Sequence, residues 1–310
     1  MSSSIDWLKQ KIEKLREFTD KLCKISNVHY QAHSWTPLKL LTLMYWVDVY
    51  TRIIPKQPKY CSNYWYLDLL AGSGTNYIKE TGDIIIGSPF IALFFARQPF
   101  TRYIFIEIDN ERSLALRKRV RAMGLANRVT VYTHDCNLII PNMNITAKHY
   151  LAFIDCEGLD VNWKTQEALL RKRGDIIVVF QTQELQRTLG RAKKGYADKD
   201  KLTDFLGDYS WQAAENAEEL LKIYMKKLRT YRGYVDCIRI RGRYKYDIVL
   251  ACRPGPYIDA WKYLKEKYAR LTDREAELAL RMCKGEIKAL YEFFTPQLKL
   301  NNFFKRKLKL

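Results

Sequence analysis

The sequence predicts an α/β protein built on a doubly wound, mostly parallel sheet. Three observations lead there. Apolar runs of strand length alternate with stretches of helical periodicity between about residues 64 and 180. One of those runs, Leu67-Asp68-Leu69-Leu70-Ala71-Gly72-Ser73-Gly74, ends in an acid and breaks into a tight glycine turn. Two β-rich segments, 234–240 and 246–252, flank Gly242 as a closing antiparallel hairpin.

The elements follow in order. A helix over about 5–25 has apolar residues at 5, 8, 12, 15, 18, 22 and 25, a stripe that must dock on something. A second helix has Pro37 in its first turn, runs to about Ile53 and is stopped by Pro55 and Pro58. Strands are expected at 64–69, 103–108, 128–132, 150–154 and 175–180, with helices at 88–96, 110–123 and 163–172 between them. Residues 75–87, where Gly82 and Gly87 flank Asp83-Ile84-Ile85-Ile86, read as an insertion. A helix at 213–230 precedes the hairpin, and helices at 257–270 and 273–294 follow it. This divides the chain into an N-terminal helical extension (1–58), a core (59–254) and a C-terminal helical region (255–310) ending in the basic tail Lys305-Arg306-Lys307-Leu308-Lys309-Leu310.

The glycine turn is the first candidate for chemistry. Gly72 and Gly74 lack a Cβ, and turn amides at the carboxyl edge of a parallel sheet are placed to donate to a ligand. No G-x-x-x-x-G-K-[ST] occurs, and no third glycine follows at the dinucleotide spacing. The turn therefore reads as an adenosylmethionine loop formed by Asp68, Ala71, Gly72, Ser73 and Gly74. Glu107 closes the next strand beside Ile108, placed to accept both ribose hydroxyls. Asp135, followed by Cys136, closes the third, where it can accept from an adenine amine. Ser88 heads a helix whose N-terminus is placed for a carboxylate. The fourth strand ends at Asp155-Cys156-Glu157-Gly158. There Asp155 and the Cys156 carbonyl are candidates to accept the hydrogens of an exocyclic amine, with Glu157 as second acceptor or proton relay. Cys156 admits two further readings, a small buried residue or a nucleophile for C5 methylation of cytosine.

The stretches His33-Ser34-Trp35-Thr36-Pro37-Leu38-Lys39-Leu40, Asp68 to Gly74, Gly87-Ser88-Pro89-Phe90-Ile91-Ala92-Leu93, and Phe153 to Asp160 with Trp163-Lys164-Thr165 resemble the three-Cys-motif partner protein (TcmP) family, over about residues 33–185. The resemblance implies a Rossmann-like class I methyltransferase, with a mostly parallel seven-stranded sheet, an antiparallel C-terminal hairpin, S-adenosylmethionine as cofactor and a protein partner. The Gly-Ser-Pro element is also similar to one in some ribosomal RNA adenine methyltransferases. In the fourth motif such enzymes usually have Asp-Pro-Pro-aromatic and this family Asp-Pro-Phe-Gly or a near variant; Cys156 and Glu157 stand in those places here.

The net charge is +19, from 53 basic and 34 acidic residues, which makes a polyanion the expected partner. Arg187, Arg191, Lys193 and Lys194 form one basic group; Arg239, Arg241, Arg243 and Lys245, interleaved with tyrosines, form another. Cations hold phosphates while tyrosines stack on unpaired bases, so RNA is expected over DNA. The plain reading of such runs is a solvated surface. Every apolar run is broken by charge before about 18 residues, which speaks against a membrane span. Seven cysteines without a C-x-x-C pair, and four histidines without ligand spacing, predict no metal and a reducing cytoplasm. The abundance of Ile, Tyr, Lys and Arg is compatible with a thermophile. Two functions remain open: a nucleic-acid methyltransferase, or a binding protein that keeps the fold without catalysis.

Overall fold

The computed structural model describes residues 4–196, 198–269 and 271–286. The N-terminal apolar stripe forms two helices instead of one, α1 (Ser4–Arg16) and α2 (Thr19–Ile25). The Thr19 hydroxyl donates to Arg16 O at 2.7 Å and turns the chain where a single helix was expected. A three-residue strand, β1 (Tyr30–Ala32), precedes α3 (Thr36–Ile53), which has Pro37 in its first turn. After β2 (Tyr64–Asp68), the segment read as an insertion forms a hairpin of β3 (Thr75–Ile78) and β4 (Asp83–Ile86). β1 lies parallel to β3, so these three strands make a small separate sheet.

The core then alternates as expected. α4 (Ser88–Phe95) leads to β5 (Arg102–Ile106), and α5 (Asn110–Ala122) is capped by Asp109, which accepts from Arg112 N at 2.8 Å. β6 (Val129–Tyr132), the short α6 (Cys136–Ile139), β7 (His149–Ile154), α7 (Trp163–Leu170) and β8 (Gly174–Phe180) follow. Two helices then appear that the sequence did not suggest, α8 (Thr182–Lys193) and α9 (Asp198–Leu206). α10 (Ala217–Arg229) starts later than expected, where Asn216 caps two backbone amides. The hairpin strands are β9 (Tyr234–Arg241) and β10 (Lys245–Cys252). α11 (Ile258–Tyr268) and α12 (Asp273–Cys283) complete the chain, the latter opened by a Thr272/Glu275 capping box. The expected continuation of that helix to 294 and the basic tail lie outside the described residues.

The main sheet has the order β6-β5-β2-β7-β8-β10-β9. Its first five strands are parallel, and β10 runs antiparallel to both neighbours. This is the doubly wound, Rossmann-like α/β fold with seven strands and a closing hairpin that was expected. Helices α1 to α5, α11 and α12 cover one face around Leu38, Trp46, Phe90 and Trp261; α6 to α10 cover the other around Leu169, Leu185, Phe205 and Tyr224. The N- and C-terminal helices therefore share a layer. No helix among the described residues is long and apolar enough to cross a membrane.

Register positions the site. Asp68, the last residue of β2, lies beside Phe105 of β5 and Phe153 of β7. The chain moves outward from β2 through β5 to β6 and returns to β7, so strand order reverses at β2. Open α/β sheets bind ligands at the carboxyl edge of such a reversal.

Candidate active site

A cavity of about 390 Å³ opens at that edge. Its wall includes Ala71, Gly72, Ser73, Gly74, Ser88, Glu107, Ile108, Asp135, Cys136, Asp155 and Glu157, brought together from five separate parts of the chain. Of the residues expected there, Asp68 and Cys156 are behind the wall. Tyr30, Lys39, Arg112, His134, Asn137 and Asp160 also line it; of these, Lys39 and Asp160 fall in the stretches that carry the family resemblance.

The glycines serve the turn itself. Gly72 and Gly74 have φ of 63° and 86°, the left-handed region where a side chain is strained. A Cβ on Gly74 would fall 2.5 Å from the Phe90 ring, so its absence lets α4 close against the turn, not a ligand. Two of the turn amides are already committed: Ala71 N donates to Ile106 O at 2.8 Å and Gly72 N to Glu107 Oε2 at 2.8 Å. Glu107 Oε1 accepts from Asp109 N at 2.8 Å and pairs with Arg112 at 3.1 Å. Glu107 thus braces the glycine turn from the next strand while still facing the cavity. Below the turn, the buried Arg119 donates to four carbonyls: Leu22, Ser26, Val28 and, at 2.7 Å, Ser73. Sequence alone gave no sign of this link between the N-terminal segment and the turn.

Asp68 is fully buried. Burial pushes its carboxyl up to about 7, with the nearby Asp155 adding to the rise, against hydrogen bonding from Ser88, Tyr66 and Leu70 N–H. Its place is the support of the turn.

At the end of β7 the side chains diverge. Lys39 pairs with both oxygens of Asp155, at 2.7 Å and 2.9 Å. Cys156 is 2% exposed, its thiol pushed up by burial and by Asp160 and Asp155 and set 3.9 Å from Val179 O. Its carbonyl accepts from Gln181 Nε2 at 2.7 Å. The Cys156 thiol is thus turned into the protein and its carbonyl is engaged by Gln181; of the readings open for this side chain, the small buried cysteine matches its position. Glu157 reaches across to the Tyr30 hydroxyl, which donates to it, and burial and Asp160 raise its carboxyl. Arg112 lies over the Tyr30 ring at 5.3 Å. Asn137 ties the loop down, accepting from Asn162 N and Thr165 Oγ1 and donating to Asp160 O.

The expected phosphate-binding cations fall into two kinds. Arg241 pairs at 3.0 Å with Asp247, which is 0% exposed, and Arg243 pairs at 2.8 Å with Asp273, which is 1% exposed. Arg239 lies 3.9 Å from Asp247 and Glu218. Arg187 and Arg191, on α8, pair with Glu184 at 3.2 Å and Asp198 at 2.9 Å and stay largely exposed. Lys193, Lys194 and Lys245 are exposed. Among the described residues no group of three His, Cys, Asp or Glu is placed to hold a metal ion.

The cavity fits an adenosyl cofactor in size and in chemistry: it lies within the range of small-ligand sites, and it offers carboxylates at the tips of β5 and β6 with a helix N-terminus at Ser88.

No protein-family description matches the chain, and no curated protein matches it. Among solved structures it is similar to protein LPL1258 from Legionella pneumophila, at 15% identity over 72% of this chain and 89% of that one, with a TM-score of 0.47. It is similar to the human methyltransferase 10 domain containing protein, at 10% identity over 79% and 97% with a TM-score of 0.41. An rRNA methylase from Streptococcus thermophilus aligns at 7% identity over 67% and 94%, with a TM-score of 0.37. Likenesses this distant carry no argument about activity, and the fold assignment rests on the strand order itself.

Proposed function

We propose that the chain is an S-adenosylmethionine-dependent methyltransferase acting on nucleic acid, RNA in preference to DNA, at an exocyclic base amine such as cytosine N4 or adenine N6. The observation that carries this reading is the convergence, in one cavity at the strand-order reversal, of the glycine turn with acids from the tips of β5, β6 and β7. The TcmP-like stretches and the charge of +19 support it. A protein partner, which that resemblance implies, and a cytoplasmic setting belong to the same proposal.

Glu107 and Asp135 would hold the ribose and adenine of the cofactor, and the turn with Ser88 its amino-acid end. When bound, the cofactor supplies an electrophilic methyl group. The chain's own task is then alignment and proton removal. Asp155, held by Lys39, accepts a hydrogen of the acceptor amine. Glu157, whose raised carboxyl suits proton uptake, takes the proton at Oε1 once the Tyr30 hydroxyl is displaced.

A second reading, a nucleic-acid-binding partner of this fold without catalysis, draws on one observation. Asp155 is occupied on both oxygens by Lys39 and the Cys156 carbonyl by Gln181, so the fourth strand end presents fewer free acceptors than an amine methyltransferase uses.

Calorimetry with S-adenosylmethionine, followed by nucleoside mass spectrometry of RNA and DNA incubated with protein and cofactor, separates the two. The enzyme reading expects binding that Asp135→Ala weakens, together with a methylated base. Absence of binding at millimolar cofactor would sink it. Binding without methyl incorporation into either nucleic acid selects the second reading.

A further inference from the structure

We infer that a single-stranded nucleic acid lies along the exposed face of α8, leading away from the candidate active site. This rests on the nucleic-acid reading above and assigns the surface and strandedness that it leaves open.

α8 starts at the site. Gln181, just before its first turn, holds the Cys156 carbonyl, and Gln183 Oε1 accepts from Lys245 N at 3.2 Å, which brings the β9–β10 turn alongside. Tyr244 of that turn stacks on Trp35 at 4.7 Å and 14°, and Trp35 on His33 at 4.3 Å and 10°. With Lys245 N held by Gln183, the neighbouring Tyr244 lies beside the start of α8.

From there the helix is two-sided. Leu185, Thr188, Leu189 and Ala192 are buried, while Arg187, Gly190, Arg191 and Lys194 face outward at the spacing of one helix face. These four, with Gln186 and Tyr196, line a hollow of about 530 Å³. Gly190 leaves its floor open, since nothing lies within 4 Å of where its Cβ would be. Tyr196, 57% exposed, stands at the far end with its ring available to stack. The 12 residues of α8 span about 18 Å, the length of about five stacked nucleotides.

The ion pairs decide which cations can take phosphate. Arg187 is 61% exposed and its partner Glu184 39%, and a pair so wet contributes little and exchanges readily for a phosphate, whereas Arg191, 66% exposed, is held by Asp198, which is 12% exposed. Arg241 and Arg243 neutralise buried carboxylates and cannot leave them without stranding a charge. Phosphate binding therefore belongs to α8, not to the hairpin. A duplex would offer phosphates to the same cations but no base face to Tyr196, so this exposed tyrosine favours a single strand.

The test uses the full chain and fluorescence anisotropy with a labelled 12-nucleotide RNA of mixed sequence and the same RNA annealed to its complement, across a salt series. The expected result is tighter binding of the single strand. Tyr196→Ala should weaken it on the order of tenfold with an unchanged salt slope, and Arg187→Gln with Lys194→Gln should lower that slope by about 1.4. Calorimetric affinity for S-adenosylmethionine, unchanged in these variants, certifies their folding. Wild-type binding with unaltered affinity in all three substitutions, or preference for the duplex, overturns the α8 track and leaves the nucleic-acid reading standing. Failure of the wild type to bind either RNA removes both.

Discussion

The Lys39 ammonium lies 2.7 Å from Asp155 Oδ2, a contact that fastens the first turn of α3 to the tip of the fourth parallel strand. Both side chains are largely withdrawn from solvent, at 13% and 14% exposure. The pair fixes Asp155, the first of two acids expected to meet the acceptor group, and it joins the N-terminal extension to the cavity.

Lys39→Met should therefore lower kcat for methyl transfer roughly 10- to 100-fold through misplacement of Asp155, with little change in cofactor KM. Steady-state kinetics would show it. Wild-type kcat in this variant would mean that Asp155 is positioned by something else.

Cys156→Ala should keep activity and cost about 1 kcal/mol or less of stability, as expected for loss of a small buried group that touches no ligand. RNA containing 5-fluorocytosine should yield no covalent adduct with the wild type. A trapped adduct, lost in the alanine variant, would reinstate the thiol as nucleophile.

Gly74→Ala combines a left-handed backbone with a Cβ driven into Phe90 and should destabilise by about 2–4 kcal/mol. Gly190→Ala, in mid-helix with open space, should stabilise by about 0.5–1 kcal/mol. Urea midpoints for the two variants should move in opposite directions.

Arg119→Met removes a guanidinium that serves four carbonyls in the interior and should cost about 3–5 kcal/mol. Cofactor affinity should fall with stability, because one of those carbonyls is Ser73 O. If calorimetry found wild-type affinity in a folded Arg119→Met protein, the brace would be irrelevant to the turn.

Asp175 on β8 has no hydrogen-bond partner on either oxygen among the described residues, and burial raises its carboxyl to about 8, against the pull of Arg232 and Arg253. A folded-state value above the unfolded one, which is about 3.9, means the folded protein holds a proton that the unfolded chain has released. Stability contributed by protonated Asp175 is thus full at about pH 4 and is lost as pH rises toward about 8. Asp175→Asn should raise stability at pH 8 by about 1–3 kcal/mol and flatten the pH dependence, with Asp68, at about 7, supplying part of the residual slope. Thermal melts between pH 5 and 9 would check this; identical slopes in the two proteins would contradict it.

Much of the core was legible because its strands are continuous apolar runs buried on both faces. Tyr103 to Ile106 and Tyr150 to Ile154 could not be mistaken, and their acidic ends marked the cavity wall. β1, β3 and β4 were not legible, since three or four residues carry too little periodicity and their pairing is decided by contacts between residues 30–32 and 75–86. α8 was missed for a related reason: two of the five positions in its buried stripe are threonines, and Gly190 on its outer face lowers its helix propensity. At the site, residue types were readable but directions were not. Asp68 and Cys156 belong to the motifs yet point into the protein, and Glu107 is turned partly toward Gly72 by a hydrogen bond across 35 positions of sequence.

Arg119 reads main-chain oxygens of the N-terminal segment, and main-chain oxygens are the same whatever the residue. The side chain at Val28 is consequently free to vary, whereas the number of residues between α2 and β1 is not, and Ser26 keeps a further task because its hydroxyl accepts from Val28 N at 3.3 Å. A single insertion or deletion there would put the carbonyls out of step with the guanidinium. A substitution at residue 28 should therefore be tolerated where a change of length between residues 26 and 28 is not.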